Sequence, residues 1–280
     1  MPVPRALLMQ AYKDACRAEI EALKPGNVHV FADGHRMSAD QFLRSAAVTA
    51  EPLTAPGVSV GRRILAAIGA TRAAVGTNTN LGIVLLAAPL LRAAELPGRD
   101  LRANVSHVLA ALDMDDAAAV FEAIALASPG GLGAADNDVR EPPRIGLVEA
   151  MRQAGDRDTI ARQYANGMAD IFGVGLAALA AAERRGERGM WPTIAVYLAF
   201  LTGFPDSHVA RKHGLAAALD VQREAGAVAA DLPRLKDAAA RLATLMDFDR
   251  RLKARGINPG TSADLTVGCL LGHALSLCLA

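Results

Sequence analysis

Four short polar stretches interrupt an otherwise apolar chain, and their residue types could bind and process an anion. The first is Lys24-Pro25-Gly26-Asn27-Val28, followed by His29 and His35. Pro25 fixes φ and Gly26 tolerates a positive φ, so Pro-Gly forms a tight turn. A lysine on the shoulder of a rigid turn is pre-positioned for a phosphate; taken alone, a cation facing a helix C-terminus is the simpler account, and the three further stretches turn the reading toward a site. The second stretch is Gly76-Thr77-Asn78-Thr79-Asn80-Leu81-Gly82. Asn80 is a good N-cap, so this loop empties into the N-terminus of an apolar helix, where free amides and the dipole favour anions. The third is Asp206-Ser207-His208. Asp206 or Ser207 caps a helix on which His208, Arg211 and Lys212 share a face, a basic face suited to phosphates or to solvent. The fourth is Asn258-Pro259-Gly260-Thr261-Ser262-Ala263-Asp264. Here Thr261 or Ser262 caps the last helix, and Asp264 falls in its first turn, where the dipole favours it.

The elements that must position these stretches are helices. The apolar periodicity and capping residues predict helices over 4–23, 38–50, 59–75, 81–95, 100–112, 113–127, 145–153, 157–184, 191–203, 233–255 and 262–280. Ser38 and Gln41 form a capping box. Ser59, Asp100, Asp113 or Asp115, and Asp156 serve as further N-caps. Gly173 and Gly175 interrupt the apolar face of the 157–184 helix and allow close contact. Glu19 and Glu21 lie near a helix C-terminus, where a negative charge opposes the dipole; holding a cation is one account of them, solvated surface the other. The loop over 128–143 carries Asp136 and Asp138, which could hold magnesium brought by a phosphate ligand or be solvated carboxylates.

Composition agrees. The 280 residues are 52% hydrophobic but only 4% aromatic, and β-branched runs are too sparse for an extensive sheet. No fixed-period repeat and no linker stand out, so the expectation is one all-α domain spanning 1–280, a multi-helix bundle whose helix-end loops form a cleft. The formal charge of +1 argues against a general nucleic-acid binder. Cys16, Cys269 and Cys278 are scattered, which indicates neither a zinc site nor a disulfide framework and suits a reducing cytoplasm. Met1-Pro2-Val3-Pro4-Arg5 lacks the build of a signal peptide. Mean hydropathy is positive, but the apolar runs break at Arg92 and His273, as buried core helices do rather than membrane spans. Alanine-rich helices could pair across a two-fold axis, giving a homodimer.

Taken together, the motifs resemble the triphosphoribosyl-dephospho-CoA synthases. Lys24-Pro25-Gly26-Asn27-Val28, Gly34-His35, Met37, Phe42 and Ser45-Ala46 look like that family's N-terminal signature. Asn78-Thr79-Asn80-Leu81-Gly82 resembles its Asn-Thr-His-Lys-Gly block, and Asp206-Ser207-His208 its Asp-Thr-Asn block. Ile257 to Leu265 is similar to its C-terminal Ser-Pro-Gly-Gly-Ser-Ala-Asp-Leu. The resemblance implies an all-α cytoplasmic transferase that joins ATP to 3′-dephospho-CoA and releases adenine. Three blocks depart from the pattern. Asn80-Leu81 stands for His-Lys, His29 for an Asp, and Lys212-His213-Gly214 for Arg-Gly-Gly. The same changes look like a divergent archaeal and methylotroph branch, for which the resemblance implies one-carbon cofactor synthesis of the tetrahydromethanopterin type with a pterin-type acceptor. A non-catalytic nucleotide- or pterin-binding protein is the other alternative.

The implied reaction displaces adenine from C1′ of the ATP ribose through an oxocarbenium-like transition state. It needs a carboxylate, a proton donor for the departing base, and groups that hold the triphosphate. On the resemblance, Lys24, Gly26, Asn27, Asn78, Thr79, Asn80, Gly82, Gly260 and Ser262 bind the nucleotide. Asp206 and Asp264 are the carboxylates, one as base and one near magnesium, and His35 or His208 is the donor.

Overall fold

Leu81–Ala94 is apolar except for Arg92 in its last turn, and it becomes the buried centre of the fold. The computed structural model describes residues 3–127, 141–235 and 237–280. Its helices in chain order are α1 (Arg5–Ile20), α2 (Ala39–Leu53), α3 (Val60–Val75), α4 (Leu81–Ala94), α5 (Leu101–Ala110), α6 (Met114–Ala127) and α7 (Leu147–Ala154). They continue with α8 (Thr159–Ala165), α9 (Leu176–Arg184), α10 (Trp191–Gly203), α11 (Ser207–His213), α12 (Leu215–Asp231), α13 (Ala238–Ala254) and α14 (Gly260–Leu279). There is no strand among the described residues; two isolated bridges, His29 with Ala32 and Gly34 with Met37, shape the loop after α1. The all-α expectation holds.

Two apolar clusters form the interior. The larger surrounds α4, with α1, α2, α3, α6 and most of α14 packed about it. The smaller joins α10, α12 and α13. α10 and α14 contribute to both: Phe200 and Leu265 face the larger cluster, Tyr197 and Ala263 the smaller. α14 has the length and composition of a membrane span, yet 61% of its apolar window is buried; it packs on α1, α4 and α10.

Several predicted ends are found and several move. The Ser38–Gln41 capping box forms in both directions, and Asp100 caps α5. Asp113 accepts the Asp116 amide at 2.9 Å. Ser59 precedes α3 but its hydroxyl makes no capping bond. The expected 157–184 helix is broken. Asp158, not Asp156, caps α8 through the amides of Ile160 and Ala161. Gly167 and Met168 then take positive φ, and a π-type turn, Ile171–Gly175, leads into α9. A Cβ on Gly175 would lie 2.8 Å from both Cys269 Sγ and Phe200 Cζ, so this turn permits the close approach of α10 and α14. At Gly173 nothing lies within 4 Å.

Pro89 sits inside α4 without ending it. Proline lacks the amide that would bond the carbonyl four residues back, here Leu85. The buried Tyr164 hydroxyl of α8 donates to that carbonyl at 2.6 Å. One side chain thus satisfies the freed acceptor and fixes α8 beside α4.

Candidate active site

The Lys24–Val28 turn is tied to α10, α13 and the Asn258 loop. Tyr197 of α10 donates to the Pro25 carbonyl at 2.6 Å. The Gly26 amide donates to Asp249 of α13 at 2.8 Å, and Asn27 Nδ2 to Asn258 Oδ1 at 2.8 Å. Gly26 has φ of +85°, and a Cβ there would lie 2.8 Å from Pro259 and 2.9 Å from Leu252. Conformation and crowding therefore account for Gly26, which does not line the cleft. Lys24 points inward. It is 0% exposed, pairs with Glu19 at 3.0 Å and donates to the Val28 carbonyl at 2.6 Å. As a direct phosphate ligand Lys24 is thus corrected: its ammonium is consumed by Glu19, the residue whose charge opposes the α1 dipole.

The Asp206-Ser207-His208 stretch is likewise a lock. Asp206 is 2% exposed. One carboxyl oxygen caps α11 through the amides of His208 and Val209. The other accepts the Ser262 amide and hydroxyl, both at 2.8 Å. This joins the starts of α11 and α14 and leaves Asp206 no lone pair for a metal or a substrate proton. Neither Asp206 nor Ser262 lines the cleft. Thr261 accepts from the His208 amide at 3.1 Å and Ser262 is held by Asp206, so neither hydroxyl caps α14. Asp264 falls beyond the first turn rather than in it.

The Asn-Thr-Asn block is divided among structural tasks. Asn78, rather than Asn80, caps α4, its Oδ1 accepting the Leu81 amide at 3.1 Å. Thr79 and Ser45 hydroxyls meet at 2.6 Å. Asn80 Oδ1 accepts from Thr71 at 3.0 Å, while its buried Nδ2 has no partner.

What remains of the four stretches converges on one cleft of about 1140 Å³. Asn27, His35, Asn78, Thr79, Asn80, Gly82, His208, Gly260 and Asp264 all line it, together with Glu19. The starts of α4 and α14 open into it, bringing the positive ends of two helix dipoles. Arg36, Arg72, Arg157 and Lys212 also line it, and none has an ion-pair partner among the described residues. Arg211, the fifth cation, pairs with Asp158. The apolar side chains of Phe121, Ile124, Met151 and Ile160 line the same cleft. Asp136 and Asp138 lie outside the described residues.

The chain matches the family model CitG, ATP:dephospho-CoA triphosphoribosyl transferase, over residues 5–279. It belongs to that family. Among solved structures it is similar to the crystal structure of an Archaeoglobus fulgidus protein provisionally described as a triphosphoribosyl-dephospho-CoA synthase. The two share 24% identity with a TM-score of 0.66, over 85% of this chain and 99% of that one; the likeness is one of fold. No curated protein matches the chain. The CitG membership speaks for triphosphoribosyl transfer and not for the pterin-type alternative.

Within this CitG-family cleft the titrating groups are strongly perturbed. Asp264 has no hydrogen-bond partner among the described residues. Burial, with Glu19 and Asp206 adding repulsion, holds its proton affinity well above the usual carboxylate range. Its carboxyl lies against α4 where Gly82 has no side chain; a Cβ there would overlap Asp264 Oδ2. Burial raises Glu19, and Lys24 opposes that shift. Burial, with Lys212 and Arg211 adding to it, lowers His208 to about 3. His208 is therefore a neutral imidazole, and its buried Nε2 has no partner. His35 is also lowered by burial; its Nε2 contacts the Gly26 carbonyl at 2.8 Å. His35 and Arg36 both have positive φ, an unfavourable conformation for non-glycine residues that turns this pair toward the cleft.

Sequence reasoning passed over Arg36, Arg72 and Arg157, since an isolated arginine carries no signal until its neighbours are known. Among the described residues no group of three or more His, Cys, Asp or Glu could hold a metal.

Proposed function

We propose that this chain transfers the 5-triphosphoribosyl group of ATP to a hydroxyl of 3′-dephospho-CoA and releases adenine. The observation that carries the reading is one cleft lined by Arg36, Arg72, Arg157 and Lys212, none with an ion-pair partner among the described residues, and by Asp264, which has no hydrogen-bond partner among them. A triphosphate and a pyrophosphate together carry several negative charges, and cations already positioned without carboxylate partners suit them. They also take over at the motif where the family resemblance has a His-Lys pair and this chain has Asn80-Leu81. The apolar wall of Phe121, Ile124 and Met151 suits the uncharged arm of the acceptor. Magnesium would enter with the triphosphate, as part of the substrate.

In the reaction the adenine–C1′ bond breaks with its electron pair leaving on the base. The acceptor oxygen forms the new bond to C1′, its proton is lost, and adenine takes up one proton. Asn27, Asn78, Thr79, Asn80 and Gly260 frame the nucleotide from the cleft wall. His35 and His208 take part as neutral hydrogen-bonding rings. The test is chromatographic detection of adenine from ATP and magnesium, with and without dephospho-CoA. Adenine that depends on dephospho-CoA supports the reading; its absence, with ATP bound, refutes it. Removing one unpaired cation, as in Arg157→Ala, weakens ATP binding most at low salt.

A further inference from the structure

We propose that Glu19 is the base that removes the acceptor hydroxyl proton, that Asp264 is the acid that protonates departing adenine, and that Lys24 is the positioning residue of Glu19. The inference rests on the transfer reaction proposed above. It begins from an asymmetry between two carboxyls that line the same cleft. Glu19 is 3% exposed and has a buried ammonium 3.0 Å away. Asp264 has no ion pair and no hydrogen-bond donor among the described residues; Arg211 is the one cation acting on it, outweighed by burial and by Glu19, Asp206 and Asp158, and its carboxyl is seated against the backbone of α4 at Gly82. An adjacent cation stabilises the ionised form and isolation stabilises the protonated form. Carboxyl pairs whose surroundings separate them in this way divide base and acid roles between them.

The proton count closes. The acceptor O–H gives its proton to Glu19 as the oxygen attacks C1′. The C1′–N bond electrons leave with adenine, which receives the Asp264 proton. One proton passing from Glu19 to Asp264, directly or through solvent, restores the starting state. Lys24 is held for its task on two sides, by Glu19 and by the Val28 carbonyl at 2.6 Å. It makes no contact with the cleft, so a role on the phosphates would require breaking both. The titratable groups that face Glu19 are Lys24, Asp264, Cys16 and Tyr197. Asp249 and Lys253 act on Lys24 from α13 with opposite signs.

Adenine release is measured against pH for the parent, Glu19→Gln, Glu19→Asp, Lys24→Met and Lys24→Arg, with ATP affinity by calorimetry and folding by circular dichroism. Glu19→Gln is expected to lower kcat by about 10²- to 10⁴-fold and abolish the acidic limb of the profile, with the ATP Kd within about twofold. Glu19→Asp, which keeps the charge, retains the limb. Loss of the Lys24 ammonium raises the Glu19 pKa, so Lys24→Met moves the limb to higher pH by about one unit or more, and Lys24→Arg restores it. A Glu19→Gln enzyme within about tenfold of the parent, its acidic limb intact, overturns the base assignment. An unmoved limb in Lys24→Met with ATP affinity reduced more than tenfold makes Lys24 a phosphate ligand instead. No adenine from the parent refutes the transfer reaction itself and the base role with it; adenine from the parent and equally from Glu19→Gln refutes the base role alone.

Discussion

Substituting Gly82 by alanine separates the site from the fold. Gly82 lies in the first turn of α4, and a Cβ there overlaps Asp264 Oδ2 and lies 2.7 Å from its Cγ. Ordinary contact between heavy atoms is about 3.5–4 Å, so the carboxyl must move by roughly 1 Å. The three nearest atoms all belong to the Asp264 side chain: the carboxyl can rotate away, and the Cβ at 3.2 Å remains a tight contact that needs a shift of a few tenths of an ångström. Alanine also gains up to about 1 kcal/mol of helix propensity over glycine, which offsets part of the clash, and the fold survives. A misplacement of about 1 Å at a reacting group costs on the order of 10²-fold in rate, equivalent to about 2.7 kcal/mol of barrier. Gly82→Ala is therefore expected to melt within a few degrees of the parent and release adenine about a hundredfold more slowly. Gly69→Ala is the control: it lies in α3 with nothing within 4 Å of the added methyl, and it leaves the rate unchanged. A Gly82→Ala protein that turns over within about twofold of the parent refutes the placement of Asp264 at the reacting centre.

Tyr164→Phe strands the Leu85 carbonyl that Pro89 cannot bond. A buried acceptor left unpaired costs about 1–3 kcal/mol, read as a lower urea midpoint with an unchanged slope; an unshifted midpoint refutes the compensation. Histidine pH dependence follows from burial. His29, His35 and His208 are all held below the ordinary histidine value, His208 at about 3. A folded-state pKa below the unfolded value of about 6.5 means the unfolded chain binds more protons in between. Stability is then full above about pH 6.5 and falls as pH drops toward 3. Urea midpoints at several pH values check this, and His208→Asn should flatten the decline; equal declines in variant and parent refute it.

Most helical segments and the places of polar work are legible in the residues, but α12 (Leu215–Asp231) is not among the expected helices and the 157–184 helix is divided. Alanine and leucine at helical spacing, with Asp100, Ser38 and Asp206 as caps, decide local structure through short-range hydrogen bonds and propensity. The four polar stretches had to lie at helix ends, because loops and caps are where a helical bundle exposes backbone groups. Glu19 was also visible as a charge in the wrong place on a helix, a local conflict that the sequence shows and does not resolve.

Which side of each stretch faces the cleft is set by packing. Lys24 and Glu19 are neighbours in the chain, yet only packing against α10 and α13 turns the lysine inward and leaves Glu19 at the cleft wall. Asp206 and Asp264 look alike in sequence. One is saturated by four donors drawn from two helix starts, and the other has none, because partners distant in the chain distribute hydrogen bonds. The break at Gly167-Met168 and the continuation of α4 through Pro89 have the same origin: close packing with α14 and the Tyr164 hydroxyl outweigh local preference. That Arg36, Arg72, Arg157 and Lys212 have no ion-pair partner among the described residues is the furthest from sequence, since whether a charge is free depends on every carboxylate the fold brings near it.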